Sequence, residues 1–245
     1  MSRTLKALLA ACSLTLLSGS VLAQTFAVVP GKANPNLAGR DVGYTCCEGD
    51  NALSEAPTLL GLTLNAGDSL FFSVAGIVSF GGFATEGSNP DGTPADGLMV
   101  NYGDGIAAPV HNRIDALVGV FLGAASPTGG DTPAALDFVD VGGAGIAFTS
   151  LAPALGQIFF IGDGLVTDSN AQGAPGAAQA FIVPAGATRL YLGTSDGFNW
   201  ANNNGSFELQ VTAVPEPAAA MLMLGGLAAL GLRAKRARRL HRQPV

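Results

Sequence analysis

Apolar and polar residues alternate in short runs along the middle of this chain, with the period of strands. "SFELQV" (206–211) alternates strictly, which puts successive side chains on opposite faces of an extended segment. "LTLNAGDSLFFSVAGIVSFGG" (62–82) is rich in β-branched and aromatic residues and is broken by Ala66-Gly67-Asp68. "DALVGVFLG" (115–123), "IAFTS" (146–150), "QIFFIGDG" (157–164) and "QAFIVPAGATRLYLG" (179–193) read alike. Clusters of Gly, Pro, Asn and Asp mark the turns between them. No segment between the two ends holds a helical period of useful length. The pattern predicts an all-β domain, a β-sandwich or jelly roll. Segments 125–145 and 167–178 are expected to be surface loops, and 24–55 to wrap the sandwich.

The two ends depart from this pattern. Arg3 and Lys6 precede an apolar run closing on Val21-Leu22-Ala23, the order of a secretory signal helix cleaved after Ala23. Leu9-Ala10-Ala11-Cys12 also resembles a lipobox, but with only about five apolar residues ahead of it, against roughly 7–15 in an ordinary signal core. At the other end an apolar run, 218–232, is followed by six basic residues between Arg233 and Arg242. As a helix it would span about 22 Å, a short crossing of a hydrocarbon core of about 30 Å. The basic run would stay in the cytoplasm and the main domain outside. A basic run can also meet nucleic acid, but its place directly behind an apolar segment points to a membrane.

The order Val214-Pro215-Glu216-Pro217, apolar segment, basic end resembles the PEP-CTERM sorting signal. That resemblance implies an exosortase-type membrane protease as a partner. It also implies transient anchoring at the inner membrane, then the cell surface or an exopolysaccharide matrix. The chain is thus expected to divide into a signal peptide (1–23), an N-terminal extension (24–59), a β-domain (60–213) and a sorting signal. The signal comprises motif 214–217, transmembrane helix 218–232 and tail 233–245.

Removing the ends changes the charge. Between 24 and 217 stand four basic residues, Lys32, Arg40, Arg113 and Arg189, against all 18 acidic ones, which gives −14 rather than the whole-chain −6. Such a surface repels nucleic acid and anionic lipid and suits calcium, which takes hard oxygen ligands. Two cysteines remain, Cys46 and Cys47, side by side. An exported pair is expected to be oxidised. Adjacent Cα atoms stand about 3.8 Å apart, below the usual disulfide span, so a strained vicinal bond, intermolecular bridges and free thiols all stay open. Two cysteines are too few for structural zinc.

Catalytic signals are weak. Between 24 and 217 one histidine, His111, stands four residues before Asp115, and no Gly-x-Ser-x-Gly elbow occurs. The Gly-Asp-Gly turns at 103–105 and 162–164 do not continue into EF-hand spacing. The reading is a protein that is not an enzyme, with an exported hydrolase using an unmarked carboxylate pair as the remote alternative.

"TSDGFNWANNNGSFELQV" (194–211) offers Asp196, Asn202 and Asn203 as side-chain oxygens between two strands. By itself it reads as a polar hairpin tip. With "LNAGDSLFFSVAGIVSFGG", "DALVGVFLG" and "IVPAGATRLYLG" in order ahead of it, residues 60–212 resemble the LecA-type galactose-specific lectins, calcium-dependent β-sandwiches. The resemblance implies Ca2+ held by Asp196, Asn202 and Asn203 with the carbonyls of Phe80 and Asn199. It implies a carbohydrate partner bound through Asp196 and Asn203, with Asp96 and Trp200 beside them. Two departures stand out. The loop from Asp196 to Asn202 is one residue shorter than the family's. Thr93-Pro94-Ala95-Asp96-Gly97 stands where the family has a sugar-contacting His-Pro-x-Gln-Gly. The expectation is an exported calcium-dependent carbohydrate-binding protein, with a non-binding matrix protein as the alternative and homo-oligomer assembly left open.

Overall fold

A computed structural model describes residues 23–82, 87–95, 99, 101–110, 112–138, 145–166 and 176–215. The signal segment, Asp96, His111, Glu216, Pro217 and the apolar and basic tail lie outside the described residues. Among the described residues, no helix is long and apolar enough to cross a membrane.

The described residues are all-β, with strands β1 (Ala23–Pro30), β2 (Thr45–Cys46), β3 (Asp50–Asn51), β4 (Thr58–Leu59), β5 (Ser69–Ser79), β6 (Thr93–Ala95) and β7 (Asn112–Ile114) in the first half of the chain. There follow β8 (Leu117–Leu122), β9 (Ser150–Leu151), β10 (Ile158–Phe160), β11 (Ala180–Ile182), β12 (Arg189–Thr194) and β13 (Asn204–Val214). One sheet has the order β1-β13-β5-β11-β9 and a second β10-β8-β12-β4; β2 pairs with β3 and β6 with β7. Every pairing is antiparallel except β11 with β9.

The two sheets bury one core between them. From the first come Leu70, Phe72, Phe181, Phe207, Leu209 and Val211; from the second Leu117, Phe121, Phe159, Leu190 and Leu192. Phe72 meets Phe181 edge-on with centroids 5.2 Å apart, and Phe121 stacks on Phe159 at 5.2 Å. β13 shows how alternation builds this layer. Phe207, Leu209, Val211 and Ala213 point inward and are buried, while Glu208 and Gln210 lie on the other face.

β8 is buried along its whole length, so its outer face needs a cover. Val118, Val120 and Leu122 pack there with Ala38, Cys47, Ile106 and Trp200. The expected wrapping segment provides part of that cover. It is pinned by Arg40, whose Nη1 lies 2.7 Å from Asp104 Oδ2 and whose guanidinium sits 4.5 Å over the Tyr44 ring. Residues 24–59 do more than wrap, however. They supply β1, which runs beside β13 over its full length, and β4, at the edge of the second sheet. Hydroxyls of Thr25 and Thr58 tie the margins of the two sheets together, donating to Gly61 O and Val28 O.

The long expected strand 179–193 divides into β11 and β12. The sequence Pro184-Ala185-Gly186 falls between them, with Gly186 in the left-handed region at φ 82°, and proline gives no ladder donor. Segment 146–150 keeps only its last residue in β9, and 62–64 lies outside any strand. Residues 125–138 form no strand, as expected of a loop.

The register fixes two poles. Ala23 pairs with Ala213, where the chain enters and leaves the first sheet, while Pro30 pairs with Ser206 and Ser79 with Asn204 at the opposite end. The loop 195–203 lies at this second pole, between β12 and β13.

Candidate functional site

β5 ends at Ser79 and turns through a short 3-10 segment, Phe80–Gly82. Gly81 has φ 68°, a left-handed conformation that glycine adopts without steric cost. Its N–H donates to Asn202 Oδ1 at 3.1 Å. That bond ties the end of β5 to a second 3-10 turn, Trp200–Asn202, on the far loop. Two asparagine backbones flank the turn: Asn199 is left-handed at φ 60°, and Asn203 is extended at φ −76°. Non-glycine residues in the left-handed region cost on the order of 1–2 kcal/mol each. Asn and Asp tolerate it best, and such positions concentrate at functional loops.

Between these turns lies a cavity of about 220 Å³. Asp196 and Asn202 line it, together with Phe80, Gly81, Ile114, Gly197 and Phe198. Three of the five expected cation-binding residues, Phe80, Asp196 and Asn202, therefore line one space. A fourth, Asn203, is not on the cavity wall but is buried beside Asp196, to which its side chain hydrogen-bonds. Asn203 Nδ2 also donates to Gly31 O at 3.2 Å, while Asn203 Oδ1 is buried with no hydrogen-bond partner. The fifth, Asn199, is not on the cavity wall, and its carbonyl accepts from Asn202 N at 3.3 Å within the 3-10 turn.

Asp196 is almost fully buried, and its Oδ1 accepts from Gly197 N at 2.6 Å. Burial pushes its carboxyl above the usual range, and hydrogen bonds from Asn203 and from the Gly197 and Phe198 amides oppose the rise. A second acid stands close by. Asp115, left-handed at φ 64°, is bound to the loop by its N–H, which donates to Ser195 O at 2.7 Å. Burial drives the Asp115 carboxyl up to about 7, the Asp196 charge adds to the rise, and the Ser88 hydroxyl and Phe80 N–H oppose it. Ser88 Oγ donates to Asp115 Oδ2 at 3.2 Å, and Asp115 Oδ1 has no hydrogen-bond partner. Asp115 is 1% exposed and is not on the cavity wall.

The third acid is Asp50 from β3. Its Oδ2 accepts from Trp200 N at 2.9 Å and from Asn34 Nδ2 at 3.1 Å, and its Oδ1 accepts from Ala201 N at 3.2 Å. It thereby caps the first two N–H groups of the 3-10 turn, groups that helical bonding leaves without partners. Burial again raises its carboxyl, opposed by these same donors.

Trp200 does not offer a stacking face. Its ring is 0% exposed and packs in the cluster outside β8, with Nε1 donating to Thr194 O at 2.8 Å. The exposed aromatics at the cavity are Phe198, 59% exposed, and Phe80, 42% exposed. Of the expected sorting motif, Val214 closes β13 and Pro215 follows it.

Asp50, Asp115 as a neighbour of Asp196, and Phe198 were not singled out from the sequence as parts of this site. Phe198 was legible in principle, as an aromatic in an otherwise polar loop. Asp50 had no local signal, because the turn it caps is 150 residues away. Cys46 and Cys47 form a vicinal disulfide with Cα atoms 3.7 Å apart.

Among the described residues, no group of three or more His, Cys, Asp and Glu is placed to hold a metal ion. Any cation at this site therefore depends on amide and backbone oxygens beside Asp196. A buried amide oxygen without a partner is an unfavourable arrangement by itself, and a cation would relieve it at Asn203. The donor set, all oxygen, matches calcium rather than a softer metal. No protein-family model matches the chain, and no curated protein matches it.

Proposed function

We propose that this chain is an exported, calcium-dependent carbohydrate-binding protein, with a LecA-like jelly-roll sandwich carrying a PEP-CTERM sorting signal. The observation that supports it best is the gathering of Phe80, Asp196 and Asn202 around one cavity, with the unpartnered Asn203 Oδ1 beside them. These residues come from two ends of the sequence's ordered resemblance, more than a hundred positions apart. In this reading Asp196, Asn202 and Asn203 hold the ion with backbone carbonyls, Phe80's first among them. Two vicinal hydroxyls of a sugar complete its shell. Phe198 and Phe80, the exposed rings at the cavity, take a stacking role, since the apolar C–H face of a sugar packs on exposed rings. The ligand class is extracellular polysaccharide or surface glycan. The C-terminal segment anchors the chain at the inner membrane until an exosortase-type protease processes it.

Terbium is a luminescent stand-in for calcium, and Trp200 sits on the loop to sensitise it. The purified chain is expected to sensitise terbium emission and to lose it on adding millimolar calcium. No emission, and no heat in a calcium titration, would sink the metal reading. A glycan array with and without calcium then addresses the sugar.

A further inference from the structure

The 3-10 turn Trp200–Asn202 sets the direction of both candidate ligand amides, Asn202 within it and Asn203 at its end. Its own preceding residue, Asn199, makes no side-chain cap. The cap comes instead from Asp50, 2% exposed, which takes the Trp200 and Ala201 N–H groups on its two oxygens. Asp50 sits in a minimal hairpin where it pairs with Cys46. The residues that close this hairpin, Cys47 and Glu48, are both left-handed, at φ 57° and 66°. Neither is a residue type that favours that region, so something must hold them there. The Cys46–Cys47 bond spans the beginning of that turn. Asn34 links the two parts, its Nδ2 donating to Cys46 Sγ at 3.6 Å and to Asp50 Oδ2 at 3.1 Å. Cys47 and Trp200 belong to the same buried cluster.

We propose that Asp50 is the positioning residue of the 196–203 site and that the Cys46–Cys47 disulfide holds it in place, so that ligand affinity depends on the oxidation state of the pair. The dependence on affinity rests on the cation-binding reading above; the positioning of the turn does not. Asp50 touches no ligand and acts only through the turn it caps. An external dithiol would reduce the pair: two electrons and two protons pass to the Cys46 and Cys47 sulfurs, the S–S bond breaks, and the dithiol becomes a disulfide. The hairpin then loses the bond that restrains the backbone at Cys47, where the turn begins, and Asp50 is freed to leave the turn. Cys46 is half-buried, whereas Cys47 is buried.

Two readouts separate the claims. Trp200 is the chain's only tryptophan, and its emission reports the turn with or without a ligand. On the purified chain, dithiol treatment and, separately, Asp50→Asn are each expected to shift Trp200 emission to the red, with far-UV circular dichroism unchanged. Each is also expected to raise the calcium dissociation constant about tenfold or more, as loss of charge-assisted bonds to two N–H groups implies. Asp50→Glu is expected to recover part of the affinity. Should reduction unfold the chain, Cys46→Ser/Cys47→Ser and Asp50→Asn carry the test in its place. Unchanged Trp200 emission in reduced protein and in Asp50→Asn would overturn the positioning role. Shifted emission with unchanged calcium affinity would overturn its link to the site. A wild-type chain that binds no calcium would defeat the cation reading, and the emission result would still decide the positioning.

Discussion

Asp115 gives the sharpest quantitative test of the packing around the site. Its carboxyl is 1% exposed, one oxygen has no partner, and it holds its proton up to about pH 7. In the unfolded chain an aspartate ionises near pH 4. Between these values the native state keeps a proton that the unfolded state has released. Stability therefore falls as pH rises through that window. The contribution is fully present below about pH 4 and lost above about pH 7, and the gap corresponds to about 4 kcal/mol. Asp50, Asp163 and Asp196 are shifted in the same direction, so the wild-type curve alone would not isolate Asp115. Asp115→Asn does, because the amide has the shape of the protonated acid, carries no charge and can still accept from Ser88. Urea unfolding would be followed by Trp200 emission at intervals from pH 4 to 8, with a chelator present. The stability of Asp115→Asn relative to wild type is expected to rise by about 4 kcal/mol across the range. Parallel curves for the two proteins would refute the assignment of a buried, neutral Asp115.

Asp196→Ala together with Asn203→Ala is expected to abolish calcium binding by calorimetry while the strand signal in circular dichroism persists; retained millimolar affinity would count against the site. Phe198→Ala removes an exposed ring, so its melting temperature should match wild type. Its affinity for any glycan found should drop several-fold, as loss of about 1 kcal/mol of ring contact implies, and unchanged affinity would remove Phe198 from the ligand surface. Trp200→Phe leaves Thr194 O without its indole donor in a buried place, which should cost about 1–3 kcal/mol in denaturant unfolding, followed by circular dichroism. Phe207→Ala, in the centre of the shared core, is expected to cost about 3–5 kcal/mol by the same measurement.

What the sequence made legible depended on how local the signal was. β13 could be read directly, because one face is buried and the other is not, and its alternation follows. β8 read as a strand but not as one covered on both faces; its all-apolar run has that meaning only when the segment outside it is known. β1 was harder. Of its eight residues only Val29 is fully buried, with Ala27 packed against the same core, while Phe26 and Val28 are exposed, so its core face is narrow and its place also depends on pairing with β13. The site divides in the same way. Asp196, Asn202 and Asn203 lie within eight positions and could be proposed together. Asp50 and Asp115 come to the same loop through hydrogen bonds that span 150 and 80 positions, and nothing near either residue announces that. Trp200, which the resemblance sets beside the sugar, is drawn inward as a large apolar surface, as a lone aromatic usually is, with Thr194 O there to meet its one donor.

The register of β13 has a mechanical consequence. Its first residue, Asn204, adjoins the candidate site, and its last, Val214, adjoins the flank that leads to the apolar tail. Its two neighbours, β1 and β5, grip it on both sides. A ligand held at one end and an anchor pulling at the other would load this strand along its own axis, over about 34 Å. The ladder hydrogen bonds lie across that axis, so the force would shear two rows of them together instead of peeling them one at a time. A pull between the two flanks, at Ala23 and Ala213, would do the opposite and unzip β1 from its end. Under the proposed reading of a tethered binder, the same sheet would resist a pull along β13 and yield to one that peels β1 from its end.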